Sequence, residues 1–159
     1  MEQLNYLLIP AARKGELAVL ETLIARGANV NYSDEKGYTP LIIACYNNQP
    51  EAAKLLLQAG ANINAADYGG NTALMGAAFK GYLPIAETLI ANGANLDLQH
   101  GNGGTALMFA SMFGRNEMVK LLLNKGANKH LRDMRGQSAC DLAAMQGNEA
   151  AISLLQSPD

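Results

Sequence analysis

Cys45, Cys140, His100 and His130 are the only thiols and imidazoles in the chain. Thiol catalysis would need a cysteine within hydrogen-bond reach of a base. A zinc site would need three or four ligands converging on one point. The two histidines are 30 residues apart, and neither has a cysteine at ligand spacing. HGNGGT, residues 100–105, is a third candidate, because glycine-rich amides ahead of a helix can cradle a phosphate. It lacks both the following Lys-Ser/Thr and the strand of a phosphate-binding βαβ unit. It reads as a turn, and these residues predict no enzyme, no cofactor and no metal.

Composition narrows the class further. The chain has 159 residues, 12 basic and 14 acidic side chains and 49% hydrophobic residues, as an ordinary folded domain does. No apolar run approaches the roughly 18 residues that cross a bilayer. The opening MEQLNYLLIPAARKGE begins with an acid where a secretory signal carries positive charge. Two cysteines are too few for a disulfide framework, and a reduced, cytoplasmic setting is expected. A net charge of −2 argues against a general nucleic-acid binder. One window, residues 115–135, is locally basic through Arg115, Lys120, Lys125, Lys129, Arg132 and Arg135 against Glu117 and Asp133. It keeps open an alternative, a regulatory module for nucleic acid or an acidic ligand.

The elements that would position these residues recur with one period. GAN stands at Gly27, Gly60, Gly93 and Gly126, in steps of 33. Thr39, Thr72, Thr105 and Ser138 keep the same step, as do Gly37, Gly70, Gly103 and Gly136. A fourth series is Gly15, Gly81, Gly114 and Gly147, with Asn48 in the remaining slot. Thr or Ser caps a first helix; Gly, or Asn48, turns the chain through a left-handed conformation; the GAN glycine ends a second helix. A turn-rich finger such as INAADYGGN then leads to the next cap. Leu8, Leu41, Leu74 and Leu107 mark the core of the first helices. Leu23, Leu56, Leu89, Leu122 and Leu155 mark that of the second. A single helix pair cannot bury such a stripe, so the units must stack. Stacking three units apart keeps Cys45 and Cys140 as separate thiols in core slots. It also brings Glu21, Lys54, Glu87 and Lys120 side by side with alternating sign.

TPLIIAC, TALMGAA, TALMFAS and SACDLAA, each followed by a G/N turn and a leucine-rich helix, resemble the ankyrin repeat. The resemblance covers residues 1–159 as one domain, an all-α solenoid with units 1–33, 34–66, 67–99, 100–132 and 133–159, the first and last acting as caps. Ile42, Met75, Met108 and Asp141 replace the histidine of the family motif. His100 replaces the aspartate of Asp34, Asp67 and Asp133, which predicts a looser third finger. Pro10 within the first helix predicts a late start or fraying. Gln156, where other units have Leu57, Ile90 and Leu123, fits a polar end cap. TALM resembles the motif of bacterial ankyrin proteins, and a bacterial origin is expected.

The resemblance implies a monomeric module that binds another protein through finger tips and first-helix ends. No small-molecule substrate or membrane is implied, and nucleic acid is disfavoured. Carried onto this sequence, the helix ends supply Arg13 and Lys14, Tyr46 and Asn47, Phe79 and Lys80, Met112 and Phe113, and Met145 and Gln146. The fingers supply Glu35, Lys36, Tyr38, Tyr68, Asn71, Asn102, Met134, Arg135 and Gln137. Tyr38, Tyr46, Tyr68, Phe79 and Phe113 thus fall where a stacked fold does not need them. In GGTALMFASMFG, Leu107, Met108, Phe109 and Ala110 read as core, whereas Met112 and Phe113 read as surface. An apolar centre flanked by Arg13, Lys14 and Arg135 matches the core and rim of a protein interface.

Overall fold

Hydroxyl caps set the helix starts. The side-chain oxygens of Thr39, Thr72, Thr105 and Ser138 accept the amides of Ile42, Met75, Met108 and Asp141 at 3.1, 3.3, 3.2 and 3.2 Å. Each satisfies a donor that the helix cannot satisfy internally. In the computed structural model, which describes residues 2–158, these caps open α4 (Pro40–Tyr46), α6 (Ala73–Lys80), α8 (Ala106–Met112) and α10 (Ala139–Met145). Each is followed by a second helix: α5 (Pro50–Gln58), α7 (Leu83–Ala91), α9 (Asn116–Asn124) and α11 (Glu149–Gln156). Ahead of them lie α1 (Glu2–Asn5), α2 (Leu8–Lys14) and α3 (Leu17–Ala25). Among the described residues the only β pairing is one isolated bridge, Ala66 to Thr72.

The two leucine columns form the core. Leu8, Leu41, Leu74 and Leu107 are buried, and so are Leu23, Leu56, Leu89, Leu122 and Leu155. Each buried leucine contributes about 1.5–3 kcal/mol relative to an exposed one. First helices lie close together because their shared faces are small: Ala44, Ala77, Ala78, Ala110, Ser111 and Ala143. Second helices touch one another more sparsely.

Two hydrogen-bond ladders lock the register. At the fingers, the amides of Tyr68, Gly101 and Met134 donate to the carbonyls of Lys36, Gly69 and Asn102 in the preceding unit at 3.1, 2.9 and 3.0 Å. A Cβ on Gly37 would lie 2.7 Å from the Tyr68 amide nitrogen, so this glycine permits the approach as well as its φ of 81°. Beyond the second helices, Asn31, Asn64 and Asp97 accept the amides of Asn62, Asn95 and Asn128 at 2.7, 2.8 and 2.8 Å.

Several expectations need correction. The third finger is not looser: His100 accepts the Gly104 amide at 2.8 Å, and Gly103 donates to the His100 carbonyl as its counterparts do in the other fingers. The imidazole serves one amide where each aspartate serves two, and that one suffices to close the turn. The alternating charges do not pair between units. Lys54 instead lies 3.6 Å from Glu51 in its own helix. Cys45 is fully buried, but Cys140 is only half-buried, so one of the two thiols sits outside a closed core slot. The late start expected from Pro10 is present: α2 begins at Leu8, one position later in its unit than α4, α6, α8 and α10, which leaves the ring in the first turn, where a donor is not needed. Gln156 is exposed at the end of α11, whereas Met1 and Asp159 lie outside the described residues.

Candidate partner-binding groove

The first helices point their C-terminal ends at the fingers, and the space between is a groove. One section, of about 490 Å³, is walled by Tyr38 and Asn71 from the fingers and by Arg13, Tyr46, Asn47 and Phe79 from the helix ends. Ile42, Met75 and Phe109 form its floor. A second section, of about 420 Å³, gathers Asn102, Met134 and Arg135 from the fingers with Met108, Met112 and Met145 from the helices. Phe109 lines both.

An aromatic row runs along the helix-end rim. Tyr46 and Phe79 lie nearly parallel, 4° apart in plane, with centroids 6.3 Å apart. Phe79 meets Phe113 edge to face at 4.7 Å. Such pairs are favourable beyond their buried area. Gly76 lies against the Tyr46 ring, where a Cβ would sit in ordinary contact at 3.4 Å. Lys80 places its ammonium 4.7 Å above the Tyr46 ring, a cation–π contact. Tyr46 is 43% exposed and Phe113 45%, while Phe79 between them is half-buried.

The other residues named from the sequence divide by what their polar atoms already do. Asn47 donates to the Ile43 carbonyl at 2.8 Å, and Asn71 donates to the Asp67 carboxylate, so both amides also brace their own segments. Gln137 reaches the Met145 sulfur at 2.9 Å. Tyr68 stands 78% exposed at a finger tip outside both sections of the groove. Asn102 and Arg135 are exposed, and Met112 is half-buried.

Phe109, a core position by the repeat pattern, packs against the core but is half-buried and faces both sections of the groove, 5.0 Å from the His100 ring. The signal for it was the repeat itself: the equivalent position in the preceding unit is Gly76, so a large ring there fills space that a neighbouring unit leaves open.

The basic window does not form one patch. Arg115 donates through Nε to the Phe79 carbonyl at 3.0 Å, and Gln49 makes the matching contact to the Arg13 carbonyl at 3.1 Å. Each reaches back over a turn glycine to hold the preceding first helix. Arg132 is held by the Gly136 carbonyl and by Asp141 at 3.4 Å, and Lys129 by the Ser157 carbonyl. Lys120 lies on α9 and Arg135 on a finger, so the window spans different faces. HGNGGT is a finger, and its glycine amides are committed: Gly101 to Gly69, Gly103 and Gly104 to His100. Burial pushes the Cys45 thiol up to about 12. The described residues contain no cluster of three metal-ligating side chains.

The stacked helix pairs, their fingers and the groove between them define an ankyrin-type solenoid. The family model for ankyrin repeats, which spans three copies, matches residues 8–100 and again residues 74–159, and the chain belongs to this family. Comparison with curated proteins gave no match. Ankyrin repeats are in general modules for protein–protein interaction and are typically non-catalytic. Among the described residues, no helix is long and apolar enough to cross a membrane.

Proposed function

We propose that this chain binds a partner protein along its groove, as an adaptor, inhibitor or scaffold, without catalysing a reaction on it. The single observation that carries this reading is the row Tyr46, Phe79 and Phe113, whose outer members keep 43% and 45% of their surface exposed. Aromatic side chains are the usual anchors of an interface, and this row borders the groove: Tyr46 and Phe79 line it, and Phe113 stands beside Phe79. Residues 1–159 act as one domain of five units with the end units as caps, working as a monomer in the cytoplasm of a bacterial cell.

The test uses the two exposed rings. Tyr46→Ala/Phe113→Ala should lose the proteins that the wild-type chain retains from lysate of its source cell, compared by mass spectrometry, while its circular dichroism spectrum is unchanged. Equal retention by a folded double variant would remove the groove as the binding surface.

A further inference from the structure

The groove has a charge preference as well as an apolar floor, and its partner can therefore be described chemically; this step rests on the groove reading above. The first helices α2, α4, α6 and α8 contain no acidic residue. Their ends carry Arg13, Lys14 and Lys80 on the same rim as the aromatic row. Helix dipoles alone do not place these cations, because α4, α8 and α10 end with no basic residue in the last turn. Five of the eight glutamates, Glu21, Glu51, Glu87, Glu117 and Glu149, stand on second helices, while Glu35 is on a finger and none is on a first-helix end. A chain of net charge −2 has thus left its groove rim cationic.

Within the groove, both carboxylates are already engaged: Asp133 accepts the amides of Arg135 and Gln137, each at 2.9 Å. Asp67 accepts the amides of Gly69 and Asn71, each at 2.9 Å, and the Asn71 side chain as well. Arg13 lines the groove and has no acidic partner within the described residues. Lys80 has only the Tyr46 ring. The two cations bracket the Tyr46–Phe79 pair along the rim.

We infer that the groove takes an extended, acidic segment of a partner protein. An aliphatic or aromatic side chain of that segment enters between Tyr38 and the Tyr46–Phe79 pair. Its flanking carboxylates meet Arg13 and Lys80. A single-stranded nucleic acid fits less well, because base stacking needs open ring faces. Here Lys80 covers one face of Tyr46, and Phe79 is engaged by rings on both sides.

Selection from a random twelve-residue peptide library on the immobilised wild-type chain tests this directly. Enriched sequences should pair Asp or Glu with a large apolar residue. Synthetic copies, followed by fluorescence anisotropy, should weaken by about tenfold in Arg13→Gln/Lys80→Gln, the scale expected for two charge-assisted contacts. They should weaken similarly for the unmodified protein in high salt, which guards against a variant that folds poorly. No enrichment, enrichment of acid-free sequences, or displacement of the peptides by oligo-dT would overturn the inference. Acid-free apolar peptides that are lost in Tyr46→Ala/Phe113→Ala would overturn only the charge preference and leave the groove in place. Acidic peptides that bind that variant as tightly as wild type would remove the groove itself.

Discussion

His100 accepts the Gly104 amide through Nδ1 at 2.8 Å, and the same imidazole occupies the space where residue 104 would carry a side chain: a Cβ there would lie 2.7 Å from Cε1. The two residues have changed together, since the preceding finger has Asp67 and Asn71 at these positions. Gly104→Asn should therefore destabilise the fold by about 1–3 kcal/mol through overpacking. His100→Asp/Gly104→Asn should recover most of that, because it reproduces a turn the chain already builds. Denaturant melts of the single and double variants would show coupling of about 0.5–3 kcal/mol, and simple additivity would contradict the account.

Asp141 stands where the other units have Ile42, Met75 and Met108, and it gains a cap. Its carboxylate accepts the Ser138 amide at 2.9 Å. That bond, the Ser138 hydroxyl and nearby Arg132 hold its carboxyl below the usual carboxylate range. A depressed folded pKa means stability that is present above the unfolded value, about 3.9, and is lost as pH falls through the folded one. Asp141→Asn should melt lower than wild type at pH 7, with the gap beginning to narrow as pH falls to about 3.9 and closing only below the depressed folded value, where the carboxyl is neutral in both states. A gap independent of pH would show that the charge plays no part.

The two thiols should behave differently. Cys45 is fully buried, and its thiol is pushed up to about 12, so it stays protonated and packed at neutral pH. The neutral form is the one the fold favours, so this contribution is complete below the ordinary thiol value of about 8.5 and is lost only as pH rises toward the folded value. In Cys140→Ser, maleimide at pH 8 should label native protein at the rate of unfolding and denatured protein at once. Rapid labelling of native Cys140→Ser would place Cys45 at the surface.

Much of this architecture could be read from the period of 33. Helix starts, left-handed turns and both leucine columns depend on residues within one unit, so each repeat announces them again. Contacts between units were harder to see. Asn64 looks like any loop asparagine, yet its carbonyl oxygen accepts the Asn95 amide, 31 residues on. Arg115 looked like part of a basic patch, yet its Nε reaches the Phe79 carbonyl 36 residues back. These offsets differ from the repeat length because each side chain crosses to the neighbouring unit before it bonds, and only packing geometry decides where it lands. The groove was legible in outline from helix-end positions. Phe109 escaped because the same column is buried in one unit and open in another, and that depends on whether the neighbour supplies Gly76 or a larger residue.

Phe113 offers the most direct test of whether the aromatic row serves binding and not the fold. It is 45% exposed and touches Phe79 through one edge, so its removal leaves no closed cavity. Calorimetric titration of Phe113→Ala with a partner captured by the wild-type chain should show a loss of about 2 kcal/mol or more, the scale of an interface anchor. The denaturation midpoint should stay within about 0.5 kcal/mol of wild type, as for an ordinary surface change. Unchanged affinity together with a marked loss of stability would contradict the account and return Phe113 to the core.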